Sequence, residues 1–202
     1  MITITPHTLL SNIVIQEVMI LPVLRRLGIR PGLAEQTVAQ AAAAHNMDAP
    51  FLLFLLTGYL SAQRPVNVTL TPEQKSRLRV YLWQSHQDYL YRLLPNISIH
   101  LGLLHKSSPN SSALILVKKY LLDIKLLLEK KVNSYSDNTQ PPSHPEKEEE
   151  NETDLLEDLM RVMIEHTEGH YDDNLYSAVL FSLSTLHQDM VYSNYLHKLL
   201  YP

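Results

Sequence analysis

Cysteine is absent from the 202 residues. That excludes disulfides, thiolate metal sites and a cysteine nucleophile, and it leaves the redox compartment open. Glycine is scarce: five residues are too few for a turn-rich sandwich or for phosphate-cradling loops. No G-x-S-x-G elbow, P-loop or dinucleotide fingerprint occurs. An excess of positive charge is missing too, since 17 Lys and Arg face 21 Asp and Glu for a net charge of −4. Nothing therefore suggests a general attraction to nucleic-acid backbone. Long hydrophobic runs are also lacking: FLLFLLTGYL, Phe51–Leu60, falls well short of the ~20 residues of a spanning helix. The N-terminal MITITPHTLL has no basic n-region, and Gln16 and Glu17 interrupt the apolar run from Ile13 to Leu24, so no signal peptide is read. The expectation is a cytoplasmic protein with no membrane role.

What the chain has is leucine-dense helical patterning. Apolar residues make up 45% and charged residues 19%, an ordinary globular balance. Residues 1–66 read as a three-helix domain. Thr8 is placed to cap a helix bearing Leu9, Ile13, Val14, Met19 and Leu24 on one side. RRLGIRPGLAEQ ends it, with Gly28 free to adopt positive φ. Thr37 and Gln40 fit a capping box for a second helix, and Asp48 caps a third with Pro50 in its first turn. AQRPVNVTLTPEQ reads as a linker.

The second domain, residues 71–202, reads as an antiparallel four-helix bundle. Its first helix opens at Thr71-Pro72-Glu73 and carries Leu78, Leu82, His86, Tyr89 and Leu93 on neighbouring turns. Pro95 is expected to kink that helix without ending it. A long helix covers about 112–133, and two more follow from Asp154 and from Asp172. Between them the polar, proline-containing and acidic stretch at about 134–152 is expected to be a disordered loop.

Each chemical motif carries a bland alternative. Histidines in a helical bundle suggest a metal centre, because di-iron bundles pair histidine and carboxylate three or four residues apart. The candidates are His86, His105, His166, His170, His187 and His197, with no clean H-x-x-x-E set among them. His166 and His170 sit at a helix end favoured by the dipole. His187 and His197 diverge by about 80° on an ideal helix. His105 is expected to be solvated, whereas His86 lies on the core-facing stripe. The acidic run lacks the glycine of an EF-hand, and RRLGIR reads as a solvated helix end. The helix–turn–helix look of residues 8–60 invites a DNA reading, but VAQAAAAHNMD lacks the side chains that read bases.

Two stretches resemble a known family. VLRRLGIRPGLAEQTVAQAAAAHNMDAPFLLFLLTGYL is similar to the N-terminal helical domain of iron–sulfur cluster repair proteins of the nitric-oxide stress response. The nearest variety is that of hemerythrin-domain proteins of the Bacteroidetes type. SHQDYLYRLLPNI and YDDNLYSAVLFSLSTLHQDMVYSNYLHKLLYP resemble the first and last helices of the hemerythrin-like domain that follows there. The resemblance implies a di-iron four-helix bundle, with departures. Arg30-Pro31 stand where many repair proteins carry a cysteine pair. His86 occupies the first-helix ligand position. Leu127 and Lys131 stand where a histidine and a glutamate belong, the third-helix histidine position falls near Glu149, and Ser193 and His197 replace a histidine–glutamate pair.

His86 and His197 are thus the residual metal positions, and two ligands rarely hold a first-row metal selectively. The resulting expectation is a degenerate hemerythrin-like regulatory or interaction protein. It would be no enzyme, would have a protein partner and no resident cofactor, and would have Leu127 filling the bundle centre with hydrocarbon. The alternatives are a working non-haem iron protein that handles or senses O2 or NO, and a DNA-associated regulator acting through the N-terminal domain.

Overall fold

Pro22 decides how the chain begins. One helix is expected from Leu9 to Leu24, but a proline in its interior would lack an N–H and crowd the carbonyl of Val18. In the computed structural model, which describes residues 3–61, 68–136 and 149–201, the segment is instead three short pieces. Helix α1 (Leu10–Gln16) stops where Glu17 turns out of helical geometry at φ −138°, a 3-10 turn covers Val18–Ile20, and α2 (Leu21–Arg26) follows. Pro22 then lies in the first turn of α2, where a missing N–H is harmless. Thr8 does not cap α1. Its hydroxyl accepts from the Thr5 N–H at 2.9 Å, and Leu9 takes the cap position without a side-chain bond.

The described residues are helical, with no strand beyond a single antiparallel bridge between Leu9 and Thr37. The protein is all-α. No described helix is long and apolar enough to cross a membrane. By compactness the chain falls into two units: Met1–Tyr81 with Leu196–Pro202, and Leu82–Tyr195. Residues 62–67 of the expected linker AQRPVNVTLTPEQ, and most of the expected loop at about 134–152, lie outside the described residues.

In the first unit, Gly28 at φ +78° ends α2, with the Ile29 N–H returned to the Leu24 carbonyl at 2.9 Å, a Schellman closure. Helix α3 (Val38–Ala44) opens on the expected box: Gln40 N–H donates to the Thr37 hydroxyl at 3.2 Å, and Thr37 N–H to the Gln40 amide oxygen at 2.9 Å. Asp48 caps α4 (Ala49–Leu60) through the Phe51 N–H. Phe51, Leu52, Leu55 and Leu56 of α4 are buried with Leu10, Ile13, Ile20 and Val23. A second box, Thr71 with Gln74, starts α5 (Pro72–Asp88).

The second unit takes the rest of α5 and a π turn at Tyr89–Leu93. It continues through α6 (Leu94–Ser107), α7 (Ser112–Ser136), α8 (Glu149–His166) and most of α9 (Asp173–Leu200). The π turn explains how the helix passes Pro95. Leu94 N–H reaches back five residues to the Tyr89 carbonyl, and the widened turn makes room just before the ring that cannot donate. Helix α7 buries Leu114, Val117, Leu121, Ile124 and Leu128 in alternating steps of three and four, a stripe that faces one core. Leu156, Leu159 and Met163 of α8 join that core, as do Val179, Leu183, Leu186 and Met190 of α9. Helix α8 starts at Glu149, earlier than expected, so the end of the acidic run is helical.

Candidate functional site

His86 is 4% exposed, on the buried side of α5. Tyr89, one turn on, meets its ring edge-on at 5.8 Å between centroids, a favoured aromatic geometry. The Tyr89 hydroxyl donates to the Asp189 backbone carbonyl on α9 at 3.1 Å, a buried bond that ties the π turn to the last helix. Ser85, Asp189 and Ser193 are buried in the same unit. The second unit therefore buries polar side chains as well as aromatic ones.

His197, the second expected metal position, is also buried, but it belongs to the other compact unit. There its ring lies 4.8 Å from that of Tyr201. Of the remaining histidines, His166 and His170 are exposed, while His105 and His187 are half-buried. Full solvation of His105 is not what the structure shows: it lies in the last turn of α6, one residue after the buried Leu104.

The positions that the resemblance assigns to ligands are more informative. Leu127 does not fill the centre. It is half-buried on α7, and Ile124 and Leu128 occupy the core instead. The reason is phase: Leu127 stands one residue off the buried stripe, about 100° around the helix. Lys131, at the expected glutamate position, places its ammonium 2.7 Å from a carboxylate oxygen of Glu152 on α8. The Lys131 side chain is 15% exposed and that of Glu152 1%, so this pair is taken largely out of water. Buried carboxylates are tolerated when a cation compensates them at hydrogen-bond distance. Here the cation is an amino-acid side chain.

The donor set does not fit a di-iron cage. Its positions hold a half-buried leucine, a lysine already bound to a carboxylate, and a buried serine. Leucine offers no lone pair, and an ammonium repels a dication. Among the described residues, no three His, Asp or Glu side chains gather where they could hold a metal ion.

Sequence reasoning missed three buried charged residues among those described. Glu152 was absorbed into an acidic run read as loop, although it leads Leu155, Leu156 and Leu159 at helical spacing. Asp189 stands beside the apolar Met190 and three residues after Leu186, a spacing that already signals the buried side. Arg26, read as part of a solvated helix end, is 8% exposed. It donates to the Tyr81 hydroxyl at 3.3 Å and lies 5.8 Å from that ring's centre, a cation–π arrangement.

One ionisation is displaced. Burial, assisted by the neighbouring Tyr171, raises the Tyr176 phenol above its ordinary value. Its hydroxyl donates to the Met163 carbonyl at 3.1 Å, and its ring stacks obliquely on Tyr171 at 4.8 Å. Asp172 caps α9 beside this pair, its carboxylate accepting from the Asn174 and Leu175 N–H groups at 3.0 Å. The cluster closes the α8–α9 connection. No protein-family model, no curated protein and no solved structure matches this chain.

Proposed function

We propose that the chain is a degenerate hemerythrin-like protein, a small helical N-terminal domain followed by an antiparallel four-helix bundle. On this reading it acts in the cytoplasm by binding a protein partner, with neither catalysis nor a di-iron centre. The observation that carries the reading is the buried Lys131–Glu152 pair, 2.7 Å across two helices. In a di-iron bundle, inward carboxylates are held ionised by metal dications. An ammonium placed against an inward carboxylate supplies the same compensation without a metal, and it occupies the position where the resemblance calls for a glutamate ligand. Descent from a sensor or repair protein of oxidative or nitrosative stress then leaves a bundle that is stable by packing, with His86 and His197 as relics of the ligand set.

Metal analysis of protein purified from iron-replete medium tests this directly. The expected content is well below one iron per chain, with no near-ultraviolet oxo-bridge band and no change in melting temperature on adding a chelator. About two iron atoms per chain, or a melting temperature that falls with chelator, would overturn the reading in favour of a working non-haem iron protein.

A further inference from the structure

Within the second unit, an apolar groove of about 320 Å³ opens between the π turn with α6 on one side and α7 on the other. Its walls are hydrocarbon, chiefly Leu90, Leu94, Leu101 and Leu121, and no aromatic or acidic side chain lines it. Two cations, Lys118 and Lys125, lie on its α7 border, seven residues apart and so about 10 Å along the helix. Lys125 shares Glu129 at 3.6 Å, whereas Lys118 makes no ion pair among the described residues. The π turn contributes to the opening: Leu90 lies within it and Leu94 just past it, and Pro95, which also lines the groove, prevents the turn from tightening. Widened turns of this kind recur at functional sites.

We infer that this groove is a binding site for a single medium-chain aliphatic carboxylate, its chain between α6 and α7 and its head group on Lys118. The volume lies at the small end of ligand pockets, which suits one alkyl chain. Aliphatic walls without aromatics favour a flexible chain over a planar ring. The charge argument fixes the head group: a groove lined by no acidic side chain and bordered by Lys118, which makes no ion pair among the described residues, selects an anion over a cation or a neutral alcohol. None of this rests on the hemerythrin-like reading, and either can fail without the other.

The test uses the full chain and decanoate below its micellar concentration, followed by calorimetry and by backbone amide shifts. Saturable binding of one decanoate is expected, with the shifts at Leu90–Leu101 and Lys118–Leu122. Decylammonium is expected not to bind, and 1-decanol to bind more weakly. Lys118→Gln should weaken decanoate about three- to fivefold, the scale of one exposed ion pair, with less effect on 1-decanol. Ser98→Phe, at an exposed lining position on α6, should plug the groove and abolish binding while leaving the helical circular-dichroism signal intact. The inference is overturned if decanoate does not saturate, if decylammonium binds equally well, or if folded Ser98→Phe binds unchanged. Sedimentation with phosphatidylcholine vesicles carrying oleate, without binding of free decanoate, would equally overturn it and assign the groove to a membrane surface.

Discussion

Lys131 and Glu152 illustrate how a buried charge pair differs from a surface one. Surface pairs such as Arg161–Glu157, both more than half exposed, contribute little in water. For the buried pair the desolvation of two ions is large, and their attraction offsets it only while both are present. Lys131→Met alone strands the Glu152 carboxylate, and a loss of about 3 kcal/mol in urea unfolding is expected. The double variant Lys131→Met, Glu152→Leu should recover most of that loss, because neither desolvation is then needed. A single variant as stable as the parent would show that the pair is hydrated in solution. Neither partner was recognisable from the sequence. A lysine at an alignment position and a glutamate in an acidic run look like two unrelated surface charges until α7 and α8 are brought together.

At the scale of elements, capping chemistry was legible and helix phase was not. Thr37 with Gln40, and Asp48 with the Phe51 N–H, are local arrangements spaced three residues apart, so short sequence windows contain all the physics. The break after Gln16 depends on Pro22, six residues further on, and the apolar pattern masked it. The π turn is a subtler case of the same kind. Up to its first residue, Leu82, His86 and Tyr89 are buried; from its second residue on, Leu90, Leu94, Ile97, Leu101 and Leu104 are buried. Carrying the first rhythm forward would have brought Asn96 and His100 inward. The extra residue in the turn shifts the stripe by one position and presents the leucines instead. Deleting the exposed Tyr91 together with Pro95→Ala should therefore restore a regular helix with its downstream phase intact. A cooperative melt within about 2 kcal/mol of Pro95→Ala alone is expected. Deleting Ile99, exposed but outside the turn, in the same background rotates the rest of α6 by about 100°. It should cost more than about 4 kcal/mol. Equal losses for the two deletions would remove the phase argument.

For the whole molecule, the all-α class followed from absence as much as presence: few glycines, no alternating strands, leucines three and four apart. The buried polar interior did not follow, because composition cannot say which charges face inward. Its Lys131–Glu152 pair has a thermal consequence. The hydration of ions becomes less favourable as temperature rises, so the penalty for burying them shrinks on heating. The stability curves of the natural protein and of the Lys131→Met, Glu152→Leu double variant should therefore differ in shape as well as height. Any advantage of the hydrocarbon pair is expected to be largest near the cold end of the curve and to dwindle toward the melting temperature. Calorimetric melts of both proteins, extrapolated with their measured heat capacities, would check it; an advantage that grows on heating would contradict it. The natural pair makes this core one that holds its charge best when warm.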